Sequence, residues 1–216
     1  MSLQTKLNEA LAAAGATKTL VLDGEADETL VLPDTIGGLK ILTELRVRRA
    51  RVAMVPDALA KLTKLETLDL SGNALTKLPA AVGKLASLRA LVVADNALEE
   101  LPREIGFLRK LETLDVAGNK LRLIPTAFGQ LKLKTLRLGR NELLPTRPDG
   151  NMWGPAMLIS QYKKLEVLEL DANLLEDPPE NLRELELLKE VRVHGGGTAA
   201  LQKASTLWPR ARVEGG

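Results

Sequence analysis

The sequence contains no cysteine, one histidine and five aromatic side chains among its 216 residues. A chain without cysteine has no disulfide framework, no iron–sulfur cluster and no thiol nucleophile. The single histidine, His194, supplies too few ligands for a typical zinc site and leaves a Ser-His-Asp triad poorly supplied. The sequence also lacks the Walker, HExxH and GxSxG motifs. We therefore expect no catalytic residues, no metal and no cofactor, and we expect that the protein is not an enzyme.

The charges are nearly balanced, with 30 basic and 28 acidic residues and a formal net charge of +2. This balance predicts no general attraction to nucleic acid or to an anionic membrane. No run of 18 apolar residues is present, so the sequence predicts no membrane insertion. Residues 1–18 lack the cationic start and long apolar stretch of a secretory signal, and Glu9 disfavours a mitochondrial presequence. We expect a cytoplasmic protein.

Leucine, by contrast, occurs 45 times, and its spacing reveals an internal repeat. Three segments that begin at Leu65, Leu88 and Leu111 share the pattern LxxLxLxxNxLxxLPxxhGxLxx, where h is an apolar residue. Extending this pattern in both directions predicts about eight repeats, of which the first is irregular and begins near Thr17. The regular repeats start at Leu42, Leu65, Leu88, Leu111, Leu133, Leu165 and Leu188.

Each part of the repeat predicts a local structure. The alternation LxLx predicts a short strand, in which Leu68 faces the core and Asp69 faces outward. Asn73 follows that strand, and we expect its amide to satisfy backbone groups of its own and of the adjacent repeat. Pro79 is expected to begin the first helical turn of the return segment. Gly83 is expected to allow a tight bend or close packing.

One repeat cannot bury its own apolar face, so neighbouring repeats must stack. With these motifs the sequence resembles the leucine-rich repeat family over residues 17–195, and its 23-residue LPxxhGxL form is similar to the intracellular Ras-group, Ras-suppressor-like repeats. The resemblance implies an α/β solenoid, a curved horseshoe with a parallel β-sheet on the concave side. Short helical or 3-10 return segments would form the convex side. It also implies protein partners such as a small GTPase, its regulator or a cytoskeletal component.

The repeat pattern predicts a single domain with capped ends. Its parts are an N-terminal capping helix at 1–16, the repeats at 17–195 with an insertion at 143–155, and a C-terminal cap at 196–216. Ser2 is a candidate N-cap of the first helix. Trp208 is expected to cover the C-terminal end of the core, between a helix and a final short strand.

The insertion makes one repeat nine residues longer than the others and is rich in proline and glycine, so we expect a loop. It carries Trp153, which has two interpretations. An apolar side chain on a loop is a common anchor for a protein partner. Alternatively, Trp153 folds back over the convex side as a plug. A helix over 155–164 is expected to replace the usual return segment.

The alternation of the strands also predicts which side chains face outward on the concave side. The central outward position is occupied by Val21, Arg46, Asp69, Val92, Asp115, Arg137, Glu169 and Arg192. The next outward position includes Arg48 and Ala94. Charge alternates along this row around a middle of small residues, a pattern that fixes the register of a partner with opposite charges. The predicted protein-binding residues are Arg46, Arg48, Asp69, Val92, Ala94, Asp115, Arg137, Glu169 and Trp153.

We therefore expect a non-enzymatic protein-interaction module, a scaffold or adaptor that binds a protein partner through the concave sheet face. The alternative is a constitutive structural subunit of a large cytoskeletal or ciliary assembly, which would use the loop and both caps as well. Nucleic acid is not an expected partner, because the concave face has mixed charge and no continuous basic stripe.

Overall fold

The computed structural model describes residues 2–13, 16–25, 28–144, 155–170, 180–193 and 197–215. Within these residues, nine strands form one sheet in which every neighbouring pair is parallel and the spatial order follows the sequence. The strands are β1 (Thr19–Asp23), β2 (Glu44–Arg48), β3 (Thr67–Asp69), β4 (Ala90–Val92), β5 (Thr113–Asp115), β6 (Thr135–Arg137), β7 (Val167–Glu169), β8 (Glu190–Arg192) and β9 (Arg212–Glu214). This confirms the predicted repeat solenoid.

The return segments are 3-10 turns in six of the described repeats. They span Asp34–Gly38, Asp57–Lys61, Ala80–Lys84, Arg103–Phe107, Thr126–Gln130 and Glu180–Glu184. Helix α2 (Pro155–Ile159) takes the equivalent place before β7, and it ends five residues earlier than the helix predicted over 155–164. Turns this short leave room for the chain to re-enter the next strand within a 23-residue repeat.

The prolines lie one residue earlier than the sequence suggested. Pro79 has extended backbone angles and precedes the turn at Ala80–Lys84, so it is not the first helical residue. Its carbonyl accepts the first i to i+3 hydrogen bond, from the Val82 N–H at 3.1 Å. Proline suits this position because its fixed φ fits extended backbone as well, and its missing N–H is not needed there.

The core is a stack of leucines, one layer per repeat. Each leucine that starts a regular repeat is buried: Leu42, Leu65, Leu88, Leu111, Leu133, Leu165 and Leu188. The longest repeat also places Tyr162 in the core, where its hydroxyl donates to the Phe128 carbonyl at 3.0 Å. Burial raises the pKa of Tyr162 above its usual range, so the phenol stays protonated as a donor.

Both ends of the core are covered by a helix. Helix α1 (Leu3–Ala12) begins after Ser2, whose hydroxyl accepts from the Thr5 N–H, and it buries Leu3 and Leu7 against β1. At the other end, α3 (Gly197–Leu207) is followed by Trp208, which is 4% exposed. The Trp208 indole donates to the Leu182 carbonyl at 3.0 Å, so its one polar group is satisfied in the core.

Asparagine side chains join neighbouring repeats in the middle of the solenoid. The Asn119 amide nitrogen donates to the carbonyls of Val93, in the preceding repeat, and of Val116 and Ala117, in its own. Its oxygen accepts from the Leu98 N–H at 3.0 Å. The same contacts recur at Asn73, Asn96 and Asn141. These four side chains form what we call the asparagine ladder.

Glycines in the return turns allow adjacent turns to touch. A Cβ atom on Gly106 would lie 2.5 Å from the Ala127 carbonyl oxygen of the next turn. A Cβ on Gly83 would lie 2.4 Å from the backbone carbonyl oxygen of Glu104. Backbone cannot move aside as a flexible side chain can, so these glycines set the spacing of the convex side.

We predict that replacing Asn119 with alanine lowers the free energy of unfolding by about 2–3 kcal/mol, because it leaves buried donors and acceptors without partners. The matched control is Asn8→Ala on the exposed side of α1, where the Asn8 side chain accepts a hydrogen bond from Gln4. We expect that change to cost under about 0.5 kcal/mol. Urea denaturation followed by circular dichroism measures both, and equal effects would contradict the role of the ladder.

We also predict that Gly106→Ala lowers the free energy of unfolding by about 1–3 kcal/mol, because the new methyl group collides with backbone of the next turn. Gly38→Ala is the control, since a Cβ there meets nothing within 4 Å. We expect Gly38→Ala to be neutral or to stabilise by up to about 1 kcal/mol, through a less flexible unfolded chain. Thermal and urea unfolding of both variants separates the two effects, and a neutral Gly106→Ala would refute the contact.

Candidate protein-binding face

The concave face is built from the outward-facing side chains of consecutive parallel strands. The register pairs Val21 with Arg46, Arg46 with Asp69, Asp69 with Val92 and Val92 with Asp115. It then pairs Asp115 with Arg137, Arg137 with Glu169, Glu169 with Arg192 and Arg192 with Glu214. The central outward row therefore has the order expected from the sequence, and β9 adds one residue. Whether these residues bind a partner stays a prediction.

At the end of the concave face near β1, charged side chains form ion pairs with one another. Arg48 donates from Nε to an Asp69 carboxylate oxygen at 2.8 Å. The other Asp69 oxygen accepts from the Ser71 N–H and hydroxyl, at 3.0 and 2.7 Å. Asp69 is 7% exposed, and Arg46 pairs with Glu44 on its own strand. Asp69 is therefore held in one orientation, and its charge is already balanced by Arg48.

A second charged network lies at the C-terminal end. Arg137 lies between two carboxylates, 3.5 Å from Asp115 and 3.7 Å from Glu169. Arg192 continues the network to Glu169 at 3.9 Å and to Glu214 at 3.0 Å. Of the residues predicted from the sequence, this network brings together Asp115, Arg137 and Glu169.

Two groups of this network, the Asp115 carboxyl and the Arg192 guanidinium, have a pKa that differs from its ordinary value. Burial raises the pKa of Asp115, although the Ala117 N–H and Arg137 favour its ionised form. Burial lowers the pKa of Arg192, but Glu190, Glu214 and Glu169 outweigh that effect and hold it above the ordinary value. Arg192 therefore stays charged, whereas the Asp115 carboxyl accepts a proton more readily than an ordinary aspartate.

An uncharged strip separates the two networks. Val92 on β4 is half-buried, and Ala94 and Ala117 beyond the strands are 9% and 4% exposed. Small side chains at these positions bring the surface close to the backbone of β4 and β5. We call Val92, Ala94 and Ala117 the neutral trough; in the central row, Val92 lies between Asp69 and Asp115.

The rim beside the trough has a feature that sequence reasoning missed. The residue before each ladder asparagine has a left-handed φ, between +53° and +68° at Gly72, Asp95, Gly118 and Arg140. Arg140 reaches across Gly118 to Asp95 at 2.9 Å, and a Cβ on Gly118 would lie 2.2 Å from that Asp95 oxygen. The glycines at 72 and 118 were the available signal, since glycine favours this conformation.

One residue predicted to bind a partner, Trp153 in the insertion, is outside the described residues. The interpretations of Trp153 as a partner anchor or as a plug both stay predictions.

Within the described residues, no group of three or more His, Asp or Glu side chains is arranged to hold a metal ion. None of the helices described is long and apolar enough to cross a membrane. The charged groups of the concave face form ion pairs on an open surface rather than in an enclosed pocket.

Comparison with protein-family models gives two matches. The model described as a leucine-rich repeat region matches residues 81–203, and the model described as a leucine rich repeat matches residues 40–98. A sequence search of curated proteins gives no significant match.

Among the solved structures with the same fold are two bacterial proteins and one plant protein. A leucine-rich repeat protein of Leptospira interrogans is 26% identical, with a TM-score of 0.70 over 97% of this chain and 57% of that one. An internalin of Listeria monocytogenes is 19% identical, with a TM-score of 0.71 over 94% and 56%. The plant peptide hormone receptor RGFR1 in complex with RGF2 is 25% identical, with a TM-score of 0.60 over 76% and 31%. This chain therefore spans less than two thirds of each of these structures.

The raised pKa of Asp115 predicts a pH dependence. A carboxyl whose pKa is higher in the folded state stabilises the fold below its unfolded pKa, and that contribution is lost as the pH rises through the folded value. Asp115→Asn does not titrate at this position, so the free energy of unfolding of the wild type relative to this variant should fall as the pH rises above the ordinary aspartate pKa of about 3.9. Urea denaturation of both proteins across this pH range measures the difference in their free energies of unfolding. The other carboxyl groups are present in both proteins, so their contributions cancel. A constant or rising difference would contradict the prediction.

Proposed function

Because this chain belongs to the leucine-rich repeat family, whose solenoids are typically protein-interaction scaffolds, we propose that it binds a protein partner through its concave face. The binding residues would be those of the neutral trough and of the charged networks beside it. A cytoplasmic scaffold or adaptor remains the form of this function that the sequence favours. A small GTPase, its regulator or a cytoskeletal component are the partner classes that the family resemblance suggests.

One observation carries the proposal: an uncharged trough lies between two networks whose charges are already paired. Carboxylates held in place by Arg48 or Arg137 keep their polarity without needing to be reordered when a partner arrives. Preorganised groups of this kind reduce the entropic cost of binding. The trough offers apolar contact close to the backbone, where a small or aliphatic partner side chain can be buried.

The size of the face is also suited to a protein. Nine strands spaced by about 4.8 Å extend over roughly 38 Å. A helix of about 25 residues has that length. A standard interface buries about 800 Å² on each partner, which a groove of this length and several residues of width can supply.

One of the solved structures also bears on the class of partner. A solved relative with 25% identity is a peptide hormone receptor in complex with RGF2, which supports a peptide or protein as the bound class. The alternative function, a constitutive structural subunit of a large cytoskeletal or ciliary assembly, would use the insertion loop and both caps as well as the concave face, and it stays a hypothesis from the sequence.

We predict that Val92→Glu abolishes partner binding, because it places a third carboxylate between Asp69 and Asp115 in the neutral trough. Val92 is half-buried and its side chain faces outward, so the fold should persist. The control is Met54→Glu, which makes the same charge change at a side chain 70% exposed and outside the concave row. Affinity purification from the source cells with quantitative mass spectrometry should show partners reduced at least tenfold for Val92→Glu.

The same purification with Met54→Glu should retain the partners seen with the wild type. If folded Val92→Glu, checked by circular dichroism, also retains them, the concave face is not the binding site. Loss of the same partners in both variants would likewise argue against the trough.

A further inference from the structure

One side of the solenoid carries a concentration of positive charge that the overall balance conceals. It is formed by the segments that lead from the end of six consecutive return segments into the next strand, at 38–43, 61–66, 84–89, 107–112, 130–134 and 161–166. These segments contain eleven basic residues and three acidic ones, a net charge of +8 in a chain whose total is +2. We call the eleven the basic ridge: Lys40, Lys61, Lys64, Lys84, Arg89, Arg109, Lys110, Lys132, Lys134, Lys163 and Lys164.

The ridge is exposed and largely free of internal neutralisation. All eleven side chains are exposed, and because the repeats stack in register they recur on the same side of the solenoid. Within the described residues, ion pairs engage Arg89 and Lys134 with Glu112, and Lys163 with Glu184. The other lysines of the ridge make no such pair there. On the concave face, by contrast, arginines and carboxylates neutralise each other.

The ridge has a definite end. In the next repeat, Glu184 and Glu186 take the positions that lysine and arginine hold before, and the segment 184–189 has a net charge of −1. Six consecutive repeats therefore share the feature, over roughly 24 Å at about 4.8 Å per strand.

We propose that the basic ridge binds the surface of a membrane that contains anionic lipids. Nine of its eleven residues are lysines, which act as point charges towards lipid headgroups. Phe107 lies among them and is 61% exposed, which places an apolar ring where it can enter the headgroup region. The contact is peripheral, so it requires no membrane-spanning helix.

Nucleic acid fits these observations less well. Proteins that bind single strands stack bases on several aromatic side chains, whereas the segments that carry the ridge expose one, Phe107. Arginine, which recognises phosphates with two parallel hydrogen bonds, occurs twice in the ridge, at Arg89 and Arg109. Nucleic acid is therefore the competing outcome of the test.

The test is co-sedimentation of the full chain with lipid vesicles. One set contains phosphatidylcholine with about 30 mol% phosphatidylserine and the other phosphatidylcholine alone, in about 0.1 M NaCl, where charges act over about 10 Å. We expect binding to the anionic vesicles and at least a tenfold loss in a variant that combines Lys64→Glu, Lys84→Glu and Lys110→Glu. All three side chains are exposed, so folding should be unaffected.

The matched control combines Lys6→Glu, Lys77→Glu and Lys120→Glu, which are also exposed and lie off the ridge. It changes the net charge by the same amount, and we expect its binding to stay within about twofold of the wild type. Three outcomes would overturn the proposal. They are no preference of the wild type for anionic vesicles, equal loss of binding in both variants, and tighter binding to a single-stranded or duplex DNA probe in fluorescence anisotropy.

Discussion

The asparagine ladder is the constraint on which the rest of this structure depends. At Asn119 one buried amide makes four hydrogen bonds to backbone groups of two repeats, so it fixes both the turn after its own strand and the offset from the neighbouring repeat. The strands are three residues long in most repeats and could not define that offset alone. Once it is fixed, every position of the repeat recurs in a line along the solenoid. The two proposed binding surfaces, the concave face and the basic ridge, each consist of positions that recur in this way.

Charge pairing on the concave face follows directly from this alignment. Parallel strands in register place the outward residue of one repeat beside that of the next, so Arg137 meets both Asp115 and Glu169. Opposite charges in adjacent repeats consequently pair within the protein before any partner is present. The face that remains is polar at both ends but uncharged at Val92 and Ala94, and binding there depends on shape and apolar contact more than on free charge.

The sequence was sufficient to predict the strands, their register and the ladder, because leucine, asparagine and proline recur at nearly constant spacing. It did not reveal which charges pair, since that depends on side-chain conformations across two repeats. The left-handed residue before each ladder asparagine was visible at Gly72 and Gly118, but Asp95 and Arg140 concealed it because such residues seldom adopt that φ. Proline was placed one residue late because both extended and helical backbone accept its φ.

The total charge conceals how charge is distributed over the surface, for the same structural reason. In a compact domain a net charge of +2 is spread over an irregular surface. In a solenoid, the residues at one repeat position all lie on the same side of the molecule. Positions before the strands are then strongly basic, while positions on the strands are paired. These two surfaces are different sides of one rigid stack. A protein in the concave face and an anionic surface at the ridge would therefore not compete, and one chain could hold a partner beside a membrane.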